Sequence, residues 1–403
     1  MKKSMIVAAM LAMVATGANA KSATDSATIA KNKPVFTVVK QNPITSIKDQ
    51  NRSGTCWAYS TLSYFESEIL KHTGKTYDLS EMFVANKTYM DRATMAVRMH
   101  GDVSFSQGGS AYDVLYALQH YGIVPEGAMP APGTLTGDSL ANFGEFFDVM
   151  TPYVEAVAKS NAKKISSAWK SGLQGIIDSY IGKTPEKFTY QGKQYTPQSF
   201  CQSLGLNLDD YVTITSYTHH PMWSKFAVEV QDNWRWPLSY NVPIDDLCKI
   251  IDNAINNGYT IAWGGDVTED GFTRKGLGIA YDVKKVRSMA GTDADHWFKL
   301  SKDEKKEKFD SLGVNAPEVV PTQAMRQEAF DNWETTDDHG MHIYGIAKDQ
   351  NGKEYYMVKN SWGEYGDYKG TWYMTKAFVA YKTMDFMVNK NAIPKDIRKK
   401  LGI

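Results

Sequence analysis

The sequence predicts an α+β protein, and three observations predict it. Apolar residues recur at helical spacing through much of the first half, near 57–72, 81–90, 111–121, 143–159 and 168–181, and again at 244–257. The clearest strands come late: 337–346 and 355–359 are joined through Asp349-Gln350-Asn351-Gly352, a Gly- and Asn-containing turn. The 403 residues are 42% apolar and 22% charged, a globular composition with room for one large domain or two to three smaller ones.

The formal net charge is zero, so no global basic field points to nucleic acid or an anionic membrane. Ten Trp and 23 Tyr suit a large core and buried subunit contacts. Residues 1–20 read as a cleavable leader: Lys2 and Lys3, an apolar run from Met5 to Val14, then Ala18-Asn19-Ala20 as a small-x-small cleavage site. The expectation is export to a periplasm or the outside, with cleavage after Ala20. No later stretch is apolar enough to hold the mature chain in a membrane. The three cysteines, Cys56, Cys201 and Cys248, leave at least one thiol free.

In chain order, Lys21 to Asn32 is polar and Phe36 to Lys40 is an edge strand. Gln50-Asn51-Arg52-Ser53-Gly54-Thr55-Cys56-Trp57-Ala58 then leads into a helix whose stripe is Leu62, Phe65 and Ile69. Ser53 and Gly54 break the chain just before it, so Cys56 falls at the helix N-terminus, where the dipole and free N–H groups favour a thiolate. Gln50 lies on the loop leading in, placed to donate to an oxyanion. Ser80 caps the next helix. Gly108-Gly109 precedes the helix from Ala111 to Tyr121, and Pro125 to Thr136 is a loop. Tyr259 to Val267 is a buried strand, with Asp266 capping the turn after it. Lys302 to Lys308 is a solvated charge run, and Thr322 to Trp333 is a helix.

His339 and His342 are three apart on a strand, so only one faces Cys56, and periodicity alone does not choose between them. A Cys distant in sequence from a His and an Asn, but near them in the fold, is the logic of a thiol protease. No His, Cys and Glu cluster has zinc spacing, and the chemistry needs neither metal nor cofactor.

Gln-x5-Cys-Trp, Asp338-His339-Gly340-Met341 and Lys359-Asn360-Ser361-Trp362-Gly363 resemble papain-fold cysteine peptidases, and within them the bleomycin hydrolase and aminopeptidase C branch. The resemblance runs on through Tyr368-Lys369-Gly370 to Leu401-Gly402-Ile403. Thr55 departs from the Ser or Ala usual before the nucleophile. The resemblance implies two subdomains, one helical and one antiparallel and barrel-like, with a large, mostly helical insertion and a C-terminal arm. The expected divisions are 1–20 leader, 21–45 N-terminal segment, 46–135 helical part, 136–318 insertion, 319–388 β part and 389–403 arm.

It further implies Cys56 as nucleophile, His339 as base, Asn360 as the residue fixing the imidazole, Trp362 as its shield and Gln50 as an oxyanion donor. His339 takes the thiol proton, and such pairing brings a Cys pKa to roughly 3–4. Gly108 and Gly109 would present main-chain groups to an extended peptide. The arm would enter the cleft, so that the Ile403 carboxylate binds a substrate's α-ammonium and makes an aminopeptidase for short peptides. A solvated helix end is the other reading of the tail. A hexamer enclosing the sites is implied as well. Papain-like endopeptidase, non-hydrolytic acyltransferase and scaffold are the alternatives.

Overall fold

A computed structural model describes residues 33–132, 140–285 and 301–403. The leader, residues 21–32 and the end of the 125–136 loop lie outside the described residues. Two cores meet along the site. One is helical, gathered around the helices Cys56–Thr73, Glu81–Arg98, Ala111–His120 and Gly144–Ala158; the other lies on the sheet.

The helix Cys56–Thr73 is buried on every side from Trp57 to Ile69, not along one stripe. Some of its polar residues are matched within the interior: Glu66 accepts the Leu79 N–H at 2.9 Å, and Ser63 Oγ bonds His342 Nδ1 at 2.9 Å. A helix buried all round is a core helix, and here Tyr64 OH and Ser67 Oγ are buried without a hydrogen-bond partner among the described residues. Gly74 ends it in the left-handed region at φ 69°. Ser80 does cap Glu81–Arg98, accepting from the Phe83 N–H.

The strand His339–Lys348 lies against this helix. A Cβ on Gly340 would stand 2.7 Å from Ser60 Oγ and 3.2 Å from Trp57 Cα, so only glycine lets strand and helix approach this closely. The strand pairs antiparallel with Glu354–Lys359, which pairs with Thr371–Thr375. Its other edge takes Ile261–Gly265, with His339 opposite Gly265, and Thr37–Gln41. Thr383–Asn389 follows Ile261–Gly265, and Tyr211–Thr215 follows that. The sheet stays open and does not close into a barrel. Strands from the 136–318 stretch are therefore woven into the sheet, and Ile261–Gly265 sits in its middle. The charge run becomes the helix Lys302–Leu312, capped by Ser301.

Candidate active site

Cys56 is the first residue of its helix, and its sulfur is partly open to a pocket of about 260 Å³ between the two cores. Two bonds hold the approach loop in place. Gly54 N–H donates to Gln107 Oε1 at 2.7 Å, and the Trp57 indole N–H donates to the Gln107 carbonyl at 3.0 Å. The same loop is laced to the strand end opposite: Gln50 N–H donates to the Ser361 carbonyl at 2.8 Å, and Ser361 Oγ donates to Gln50 Oε1 at 2.6 Å. Gln50 Nε2 donates to the Ser53 carbonyl. Gln50 is therefore buried and fixed in place, with one Nε2 hydrogen uncommitted.

His339 lines the pocket with Cys56, and His342 does not. Gly340 and His342 share the side of the strand that faces the helix, as period two requires. The His339 Nε2–H donates to Asn360 Oδ1 at 2.8 Å, and that oxygen also takes the Ser361 N–H at 2.8 Å. The Trp362 ring lies 4.9 Å from the His339 ring, centre to centre, and covers this bond. With Nε2 carrying the proton toward Asn360, the other ring nitrogen is left as a base.

The far wall of the pocket is acidic. Asp232, Asp337 and Asp385 all line it. Asp232 Oδ1 accepts both terminal nitrogens of Arg92 at 3.1 Å, and Arg92, fully buried, also donates to the Ser104, Gly108 and Gln231 carbonyls. A Cβ on Gly108 would fall 1.9 Å from Asp232 Oδ2, which explains the glycine. The Gly108 carbonyl, expected to face substrate, is turned inward to Arg92. Asp338 caps the Val267 N–H at 2.9 Å, and Asp266 caps Thr268 and Thr336. Asp337 lines the pocket with no hydrogen-bond or ion-pair partner among the described residues.

This wall and the enclosure set the charges. Burial first, then Asp337 and Asp232, push the Cys56 thiol up to about 12, against the pull of the Gly340 and Trp57 N–H groups. Water in the pocket tempers that rise, because the sulfur is partly exposed. Burial lowers His339 to about 4, against the Asn360 bond. Against the thiolate expected at the helix tip, enclosure and the wall carboxylates oppose the charged form, while the Gly340 and Trp57 N–H groups favour it. Burial, then Asp232, Asp385 and Asp338, hold Asp337 well above the ordinary carboxylate range.

The tail is also corrected. Ile403 does not reach the pocket. Ile393, Ile397 and Leu401 recur every four residues and bury in the sheet core, Asn253 Nδ2 donates to the Ala392 carbonyl, and Lys400 lies over Trp223. That stripe seats the helix Lys395–Leu401 alongside Ile244–Asn256 and outside the cleft. Cys201 and Cys248 are both free thiols. The residues that sequence reasoning missed are Gln107, Arg92, Asp232 and Asp385, none of which stands at a fixed spacing from a motif.

The profile of the Peptidase C1-like family matches residues 2–402. Aminopeptidase G of Lactobacillus delbrueckii subsp. lactis is 23% identical over 397 residues, covering 89% of this chain and 84% of that one. Aminopeptidase C of Lactobacillus helveticus is 23% identical over 410 residues, covering 90% and 85%. Bleomycin hydrolase of Homo sapiens is 22% identical over 419 residues, covering 92% and 86%. The crystal structure of pepw from Lactobacillus rhamnosis superposes with a TM-score of 0.68 at 20% identity, covering 94% of this chain and 86% of that one, a likeness of fold.

Proposed function

The chain belongs to the Peptidase C1-like family and is a cysteine peptidase, and we propose that it is an aminopeptidase whose acidic pocket wall selects a free N-terminus. The observation that carries the reading is the convergence of Cys56, His339 and four carboxyl groups, Asp232, Asp337, Asp338 and Asp385, on one pocket, with Asn360 bonded to the imidazole.

A peptide's α-ammonium sits against Asp232 and Asp337. Its charge offsets the field with which those carboxylates resist a thiolate, so substrate binding itself helps Cys56 ionise. His339 takes the thiol proton, and the sulfur attacks the first carbonyl. The Cys56 N–H and the remaining Gln50 N–H hold the oxyanion, each donor worth about 3–4 kcal/mol in comparable sites. His339 returns the proton to the leaving amine, and water then cleaves the thioester. Asn360 holds the ring through Nε2, and Trp362 keeps water from that bond.

In this reading the exopeptidase ruler is the acidic wall and not the C-terminal arm. The tail's position outside the cleft favours one second reading, an endopeptidase that takes a Lys or Arg side chain against the same wall. Short fluorogenic peptides with free and acetylated N-termini separate the two. The aminopeptidase reading expects cleavage of the free set alone, abolished by Cys56→Ala. Equal cleavage of acetylated, arginine-bearing peptides contradicts it.

A further inference from the structure

On the outer face of the same wall, two imidazoles converge on one carboxylate. His219 Nε2 lies 2.9 Å from Glu229 Oε2, and His220 Nε2 lies 3.1 Å from Glu229 Oε1. One ligand atom from each of the three falls within 4.8 Å of the others. The rings are braced: His220 stacks on Phe226 with centroids 4.2 Å apart and 19° between planes, and His219 is stacked on Phe330 and edge-on to Phe226.

The far nitrogen of His219 is backed as well. The Gln327 carbonyl is fixed by the Thr218 N–H at 2.6 Å and lies 3.2 Å from His219 Nδ1; the Gln327 amide nitrogen lies 3.1 Å from the same Nδ1 and also donates to Asp331 at 2.9 Å. In the tautomer whose Nδ1–H goes to the carbonyl, the Nε2 lone pair faces the Glu229 side and is available to an ion. Metal-bound histidines are held in this way, the outer bond setting both tautomer and ring angle.

We propose that His219, His220 and Glu229 form a binding site for a zinc-class divalent ion, with a fourth position open to solvent. The ion takes the place of the two direct imidazole–Glu229 contacts and makes three ligand bonds. It ties the loop after the strand Tyr211–Thr215 to the segment after Lys225–Phe226. Glu229 alternates along that segment with Val228, Val230 and Asp232, which line the catalytic pocket. The ion is therefore a clip on the segment that carries Asp232, held by residues that do not themselves line the catalytic pocket.

Zinc chloride titrated calorimetrically into the full-length Cys56→Ser protein tests this; that background removes the catalytic thiol as a competing ligand. The expected result is one zinc per chain, binding about tenfold or more weaker in Glu229→Gln, and none in the His219→Ala/His220→Ala variant. Zinc should also raise the unfolding midpoint of the Cys56→Ser protein but not of the double-histidine variant. Circular dichroism checks that the double variant is folded; if it is not, Glu229→Gln decides. No stoichiometric zinc, or binding undiminished by these substitutions, overturns the proposal.

Discussion

Asp337→Asn is the perturbation that separates a free-amine anchor from a merely acidic pocket. It removes a wall carboxyl that an arriving ammonium draws into its charged form, and it breaks no bond, because the Asp337 carboxyl has no hydrogen-bond or ion-pair partner among the described residues. Asp232→Asn is less clean, since it leaves the buried Arg92 without its counter-ion. An ammonium about 5 Å from a carboxylate gains roughly 3 kcal/mol at an effective dielectric of about 20. Asp337 is partly exposed to the pocket, so water takes a share and about 1–2 kcal/mol remains. That is a loss of about 5- to 30-fold in kcat/KM on aminoacyl amides with a free amine. The same charge raises the Cys56 pKa, so its removal acts on the thiol in the opposite direction. Alkylation of Cys56 by iodoacetamide at fixed pH should quicken in the variant, and hydrolysis of acetylated substrates should not slow. An equal fall on free and acetylated substrates, or no fall on the free set, refutes the reasoning.

Asn360→Ala frees the His339 ring, and kcat should fall about 10- to 100-fold with KM little changed in steady-state assays. Arg92→Leu leaves Asp232 and the inward-turned Gly108 carbonyl unpaired, so urea unfolding should show a loss of about 3–5 kcal/mol. His339 is held at about 4, while the unfolded chain protonates near its ordinary 6.5. The unfolded state then binds more protons as pH falls, so stability is full above about 6.5 and declines toward about 4. The His339 share is roughly 3 kcal/mol, and His342, also lowered by burial, adds in the same direction. Urea unfolding at neutral pH and near pH 4 measures it; a flat dependence contradicts the burial of these rings.

The candidate constellation could be picked out because its members sit where elements begin or end. Cys56 opens a helix, His339 opens a strand, and Asn360 follows one, and chain breakers or alternation mark each boundary. The acidic wall was not legible. Asp232 lies on an irregular segment, Asp385 on a strand 46 positions beyond His339, and only the folded sheet brings them to one pocket. The helix Cys56–Thr73 read as one-sided because Ser63 and Glu66 look solvated in sequence; their partners, His342 and Leu79, come from elsewhere in the chain. The groups that oppose the Cys56 thiolate were hidden for a related reason: a helix tip is a local feature, whereas enclosure and two carboxylates from distant segments are not. The tail's fate was written in its own stripe, Ile393, Ile397 and Leu401, which buries the arm in the sheet core.

The central claim is that the Cys56 sulfur is the nucleophile and that His339 activates it. An epoxysuccinyl thiol label followed by peptide mass mapping addresses it directly. The account predicts modification of Cys56 with Cys201 and Cys248 untouched, slowed severely in His339→Ala, and peptidase activity lost in step with labelling. Label on either other cysteine in place of Cys56, or hydrolysis that survives Cys56→Ala, contradicts it.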